Sequence, residues 1–312
     1  MRIAIVGAGV CGLYLGWKLS QKGEQVVIFE KKERIGKECC SGLFSERILD
    51  FIPESKKLIK NKIQFFFLHL SQKDIKIKFS REMLVINHNE LDRLLADLSR
   101  KAGAKILLNY QVTSKNFPKI ENYFEKIIGC DGVNSFLRER LKERKPEFRL
   151  GIQGFVKEKD FSNFVEIWPT EKGFIWKIPR GEKKEYGIIE KPKKANFLFQ
   201  RFLKERKITI SEIKSALIPQ GLILPRNSRI TLCGDAMGLT KPWSGGGVIW
   251  GLIACELLLK NFPDFLKYKK EVERFFLPKI FVSKNLVKIA YFLFKFPWIF
   301  PKNWQIESDF LL

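Results

Sequence analysis

Glycine spacing in the opening residues constrains this chain more than any other feature. An apolar run, Arg2 to Val6 (RIAIV), leads into Gly7-Ala8-Gly9-Val10-Cys11-Gly12 and then into the helical stretch LYLGWKLSQKG. A second apolar run, QVVIFE, ends at Glu30. Short β-branched runs read as central parallel strands. The order is therefore strand, glycine turn, helix, strand, which is the βαβ unit that cradles a dinucleotide. Gly7 makes the tight turn, Gly9 lets backbone approach a pyrophosphate, and Gly12 lets the helix pack close to the strand. The helix N-terminus then faces the phosphates, and Glu30 can accept from a ribose hydroxyl. The fingerprint alone does not separate FAD from NAD. The same start is apolar enough to pass for a signal peptide, but its glycines suit a buried strand and phosphate loop better, and no small-residue cleavage site follows.

Further along, 61–86 reads as a hairpin, KIQFFFLHLS and IKIKFS about a QKD turn. Ile75, Ile77 and Phe79 alternate with lysines, as in a half-buried strand. Glu90 to Lys101 is an amphipathic helix closed by Gly103. AKILLNYQV is another strand, and KIIGCDGVNSFLRERL is a strand, a turn and a helix. Residues 151–190 read as antiparallel strands with aromatic residues, followed by a helix around 195–206. RITLCGDAMG is again strand to turn, and SGGGVIWGLIACELLLK opens a long apolar helix. Residues 261–312 read as helical, aromatic and lysine-rich. Interleaved strands and helices with an antiparallel insert make an α/β architecture with a second sheet.

Charge and rare residues narrow the chemistry. The chain carries 57 Lys+Arg against 34 Asp+Glu, a net charge of +23. Such a field favours anionic partners, whether nucleic acid, acidic lipid surfaces or phosphorylated substrates, although lysines also simply solvate a surface. Six cysteines, at positions 11, 39, 40, 130, 233 and 255, show no secreted disulfide spacing, which points to a reducing, cytosolic setting. Two histidines leave little room for a Ser-His-Asp triad or a histidine-based metal site. The segment KECCSGLFS, Lys37 to Ser45, sets two cysteines side by side in a short loop. Adjacent cysteines do not match the two-residue spacer of redox and zinc motifs, and a vicinal disulfide would be strained.

Four motifs, in order and spacing, resemble those of flavoproteins with the p-hydroxybenzoate hydroxylase fold. They are the glycine fingerprint, GCDGVNSFLR at 129–138, GFIWKIPRG at 173–181 and LCGDAMGLTKPWSGGG at 232–247. The third resembles the aromatic-x-Trp motif of the geranylgeranyl reductase family (Phe174, Trp176, Ile178, Pro179), and CSGLFS is similar to that family's Cys-x-Gly loop. The resemblance implies FAD as cofactor, held by Gly7, Gly9, Gly12, Glu30, Lys31, Val112, Asp131, Gly132, Arg138, Gly234, Asp235, Pro242, Gly245, Gly246, Gly247 and Val248. Asp235 would hold the ribityl chain. The resemblance also implies Cys40, Gly42, Trp176 and Phe174 as the catalytic set, with Cys40 facing flavin and substrate and Cys39 packed behind it. The sequence departs from the family where many members carry an arginine near FAD: Asn87 and His88 stand there. Ile178 also replaces a common aromatic.

These readings set expectations. The fold is a Rossmann-like FAD-binding domain with an inserted antiparallel-sheet substrate domain and a C-terminal helical region. Residues 1–150 and 219–260 form the FAD-binding domain, with the hairpin 61–86 joining the substrate side. Residues 151–218 form the substrate sheet and 261–312 the helical region. The expected activity is transfer of hydride from reduced flavin to C=C bonds of a geranylgeranyl or other isoprenoid chain on a lipid or diphosphate. The electron donor would be ferredoxin or NAD(P)H. A flavin monooxygenase or another oxidoreductase of the same fold is the alternative. A nucleic-acid-associated flavoprotein rests on charge alone, without a basic motif or stacking module, and nucleic acid is not favoured. In SKNLVKIAYFLFKF, Lys284, Lys288 and Lys295 share one face and apolar residues cover the rest, as in an interfacial helix on an anionic membrane. A helix packed on the FAD domain fits the same pattern. The expected location is cytoplasmic and peripheral to the membrane, and no apolar run reaches transmembrane length.

Overall fold

Arg2–Val6 is the middle strand of a parallel sheet, and its Ile3, Ala4 and Ile5 are fully buried. The computed structural model describes residues 1–301 and 303–309. In chain order the elements are β1 (Arg2–Val6), α1 (Val10–Gln21), β2 (Gln25–Phe29), β3 (Leu43–Ser45), α2 (Ile48–Phe51), β4 (Ile59–His69), β5 (Asp74–Ile86) and α3 (His88–Lys101). There follow β6 (Lys105–Leu107), α4 (Phe117–Tyr123), β7 (Lys126–Gly129), α5 (Phe136–Arg140), β8 (Glu147–Val156), β9 (Phe164–Pro169), β10 (Phe174–Pro179) and β11 (Lys184–Glu190). The last are α6 (Pro192–Glu205), β12 (Ser211–Gln220), β13 (Ile230–Leu232), α7 (Val248–Asn261), α8 (Phe265–Leu293) and β14 (Asn303–Ile306).

The parallel sheet has the order β13-β7-β1-β2-β6. Both faces of such a sheet are covered, which is why its strands carry unbroken apolar runs. Gly7 ends β1 at φ +104°, and a Cβ there would stand 2.3 Å from the Cys130 carbonyl oxygen, so the sharp turn into α1 requires glycine. The second sheet runs β12-β8-β11-β10-β9-β4-β5-β14, with β3 also paired to β5. Most of its pairs are antiparallel; β4 with β9 and β5 with β14 are parallel. Helix α6 covers one end of this sheet through Ala195, Leu198, Phe199 and Phe202. The architecture is a Rossmann-like unit with an inserted, mainly antiparallel sheet and a helical C-terminal region, as the motifs indicate.

Two details differ from the sequence expectation. AKILLNYQV yields only the short β6, because Asn109 at φ +55° turns the chain away. The tail is not wholly helical: β14 pairs with β5 from Asn303↔Lys76 to Ile306↔Phe79. It covers a strand edge that would otherwise present unpaired backbone groups.

Helix α8 starts on Asp264, whose carboxylate accepts from the Leu266 and Lys267 N–H groups at 3.0 and 2.9 Å. Its inner stripe, Phe265, Tyr268, Val272, Phe276 and Ile280, has helical spacing and is buried. Past Pro278 the helix emerges: Phe281, Ile289 and Phe292 are 70%, 52% and 59% exposed. Among the described residues no helix is long and apolar enough to cross a membrane.

Candidate active site

A cavity of about 1220 Å³ opens beyond the carboxyl ends of β1, β7 and β13 and runs under the second sheet. A single small-molecule pocket spans roughly 300–1,000 Å³, so this one has room for more than one ligand. Three stretches build it: a polar cradle, a reactive middle and an apolar chamber.

The cradle is made of backbone. Gly7 and Gly9 line it at the start of α1. Nothing lies within 4 Å of where a Gly9 Cβ would be, so that side is open to a ligand. Glu30 closes the loop: its carboxylate accepts from the Ala8 N–H at 2.7 Å and the Lys32 N–H at 3.0 Å. A carboxylate has about four acceptor positions, so Glu30 retains capacity for a ligand hydroxyl, and Lys31 lies beside it on the wall. Val112, Asp131 and Gly132 also line the cavity. Asp131 accepts from the Leu137 N–H at 3.2 Å through one oxygen; the other is buried without a partner among the described residues. Burial pushes the Asp131 carboxyl up, against the pull of Ser135 and backbone N–H groups. An orphaned buried acceptor at a cavity wall calls for a donor from a ligand.

Farther in, Asp235 faces the cavity 3.4 Å from Lys37 Nζ, and that carboxylate raises Lys37 above its ordinary value. Gly245, Gly246, Gly247 and Val248 line the wall where α7 begins. The loop before them is pinned by Gly245 N–H to the Lys241 carbonyl at 2.9 Å and Lys241 N–H to the Gly246 carbonyl at 3.1 Å. Buried Lys241 donates to Asp309 at 2.6 Å and to the Ser308 carbonyl at 3.2 Å. Arg47 Nε lies 3.3 Å from Asp309. The chain's tail is thus latched to the glycine loop.

The middle of the cavity holds the cysteine loop. Cys39 and Cys40 both line it, and all six cysteines are free thiols. Cys40 lies against His88, the first residue of α3, and Asp92 stands one turn on, 3.5 Å from His88 Nε2. Asp92 also accepts from the Lys37 N–H at 2.8 Å, fastening the loop to the helix. Burial would raise the Cys40 thiol. The His88 charge, Lys37 and the Gly42 N–H outweigh it and hold Cys40 below the ordinary thiol value. Burial opposes charge on His88 too, but Cys40 and Asp92 push it up to about 10. Cys39 behaves oppositely: burial and the neighbouring Cys40 raise it to about 11.

A buried carboxylate supports this wall. Glu185 accepts from Trp176 Nε1 at 3.0 Å and from Arg180 Nε at 2.9 Å, and Arg180 in turn donates to the Ser41 carbonyl. Trp176 lies over Gly187 on the neighbouring strand, where a Cβ would come within 2.2 Å of the indole. Phe174 and Trp176 line the cavity. Beyond them the wall is apolar: Phe66, Phe79, Met83, Ile178, Leu293 and Phe300 lead out to the exposed end of α8.

Five residues expected at the site stand behind it. Gly12 packs on the Gly7 carbonyl, and Gly234 makes room for Cys11. Pro242 lies in the pinned loop, and its carbonyl accepts from Gln220 at 3.3 Å. Buried Arg138 braces two loops through the Ala236 and Val133 carbonyls at 2.8 and 2.6 Å. Gly42, at φ +58°, sits where a Cβ would be 2.2 Å from the Ile86 carbonyl oxygen, so it shapes the loop from behind. Sequence reasoning missed His88, Asp92, Arg180 and Glu185. Arg180 stood inside the motif GFIWKIPRG, and His88 and Asp92 share a helix face at i, i+4.

Comparisons with known proteins agree with this picture. Residues 5–51 match the model of an NAD(P)-binding Rossmann-like domain. The chain is 28% identical over 303 residues to a digeranylgeranylglycerophospholipid reductase of Methanococcus vannielii, covering 83% of this chain and 77% of that one. Its fold is similar to that of a geranylgeranyl bacteriochlorophyll reductase-like protein of Thermoplasma acidophilum, with a TM-score of 0.76, 17% identity, and 93% and 87% of the two chains covered. A halogenase solved in complex with FAD superimposes with a TM-score of 0.68 at 14% identity, covering 94% of this chain and 76% of that one. Fold and cradle are similar to those of flavin-dependent oxidoreductases. Within that class, the motifs and the curated relatives liken the chain to geranylgeranyl reductases.

Proposed function

We propose that the chain reduces C=C bonds of a long isoprenoid chain attached to a phosphate-bearing headgroup, at the surface of an anionic membrane. The observation that carries this reading is the apolar chamber, which runs from the reactive thiol wall to an exposed apolar helix. An isoprenoid offers almost no hydrogen bonds, so shape and water exclusion must position it.

Bound in the cradle and reduced, FAD would supply the hydride for the double bond. The open Gly9 side and the orphaned Asp131 oxygen would hold its polar parts, and the 245–247 backbone would lie along its ring system. The N-terminus of α7 would favour negative charge there. The proton that completes the reduction comes from this chain. His88, pushed up to about 10 by Cys40 and Asp92, would keep the proton of the pair, and that proton would pass through Cys40 to substrate carbon, leaving the thiolate beside a neutral imidazole. Trp176 and Phe174 hold the alkene against this wall. Electrons would arrive from ferredoxin or NAD(P)H. Phe281, Ile289 and Phe292, with exposed Lys288, would rest on acidic lipid so that the substrate chain enters without crossing water.

The test is anaerobic. Chemically reduced protein is mixed with geranylgeranyl phospholipid or diphosphate, and mass spectrometry follows the lipid. Increments of two hydrogens per double bond are expected. No mass change with any prenyl lipid defeats the reading, and an oxygen-dependent hydroxylated product would make the protein a monooxygenase instead.

A further inference from the structure

Four of the six cysteines meet beneath the glycine loop, away from the reactive thiol wall. Each comes from a different part of the fold: Cys11 from the first turn of α1, Cys130 from just past β7, Cys233 from just past β13, and Cys255 from within α7. The sulfurs of Cys11, Cys233 and Cys255 all lie within 4.8 Å of one another, and Cys233 to Cys255 is 3.5 Å. Cys130 stands beside Cys233. Thiolates around a tetrahedral zinc at about 2.3 Å are separated by roughly 3.8 Å, a spacing that these pairs bracket. A disulfide needs about 2.05 Å, and three mutually close sulfurs suit a shared ion better than a bonded pair.

The surrounding residues make room for the sulfurs. A Cβ at Gly234 or at Gly251 would each come within 2.7 Å of the Cys11 sulfur, so two glycines on separate elements clear its position. Cys11 lies in the first turn of α1. Among the described residues no histidine or carboxylate joins the group, so the donors are all sulfur. Cys11, Cys130 and Cys233 reach the cavity floor, which gives an ion a way in.

We propose that Cys11, Cys233 and Cys255, with Cys130 as a fourth donor, form a binding site for a thiophilic closed-shell cation, Zn²⁺ or Cu⁺. All-sulfur donors select soft ions of this kind. Binding releases one proton for each thiol that becomes a thiolate and needs no oxidant. The ion would tie α1, β7, β13 and α7 together directly under the cradle, and the site stands whether or not the prenyl reading holds.

The experiment uses the FAD-loaded full chain, reduced and freed of metal. One equivalent of Zn²⁺ retained on dialysis, or of Cu⁺ held against bicinchoninate, is expected. Co²⁺, used as a probe, should give sulfur-to-cobalt charge-transfer and tetrahedral ligand-field bands in the difference spectrum. Cys255→Ser and Cys11→Ser should each abolish both signals, with circular dichroism reporting the fold; if one variant fails to fold, the other decides. A Cys39→Ser/Cys40→Ser double variant should keep the signals. The proposal is overturned if the native chain retains neither ion, if the bands survive in a folded Cys255→Ser or Cys11→Ser protein, or if they vanish with the 39/40 pair.

Discussion

Two groups of cysteines border the same cavity, and their settings are opposite. Around Cys40 the fold supplies charge: His88, Lys37 and the Gly42 N–H all favour a thiolate. Around Cys233 and Cys255 it supplies sulfur and apolar burial, and the nearest neighbours of each thiol include other thiols. One residue type is therefore placed beside charge in the first place and beside its own kind in the second. What differs is whether a cation or another sulfur stands next to it.

Experiments can break or sharpen that contrast. The largest effect is expected from Cys40→Ala. General acid catalysis contributes about 10²–10⁴-fold, so prenyl reduction should fall by that order with flavin absorbance and melting temperature retained; equal turnover would leave the loop a packing role only. Glu185→Gln comes next. It strands the Arg180 charge behind the cysteine loop, and breaking a buried pair destabilises by about 3–5 kcal/mol, readable by denaturant unfolding.

Alkylation then separates the two groups directly. At neutral pH, iodoacetamide should label Cys40 first, Cys39 slowly, and Cys233 and Cys255 only after unfolding, as peptide mapping would show. In His88→Gln, Cys40 loses its main cation, and its labelling rate at neutral pH should drop.

The subtlest effect is the pH dependence of stability. His88 is raised from 6.5 to about 10, so its contribution is complete below 6.5 and lost as pH rises through about 10. Cys40 is lowered from 9.0, so its contribution is present above 9.0 and lost as pH falls through the lowered value. Unfolding of native and His88→Gln protein should therefore converge on the alkaline side.

The cradle was legible in the sequence because its demands are local. Gly7 needs a positive φ within a few residues of β1, and Asp131 and Gly245 to Gly247 sit in short contiguous motifs. The proton-holding group was not, because Cys40 and His88 come from different elements and meet only in the folded chain. The two-histidine count argued against triads, yet one histidine is enough when its partner is a cysteine. The Glu185–Arg180 brace escaped for a related reason: Glu185 lies in β11, on the strand opposite the motif. The exposed end of α8 was legible as composition, but only the fold shows it opening onto the chamber.

The latched tail bears on how the molecule assembles. Arg47 and Glu307 meet across 260 positions of chain at 3.2 Å, and β14 pairs with a strand formed far earlier. Contacts so distant in sequence are slow to close. The parallel sheet and its glycine turn can form from nearer neighbours, so the cofactor cradle would take shape before the far wall of the chamber is shut. A partly folded chain would then be able to take up its nucleotide while the apolar chamber still stands open, and that interval is when it would be most prone to aggregate.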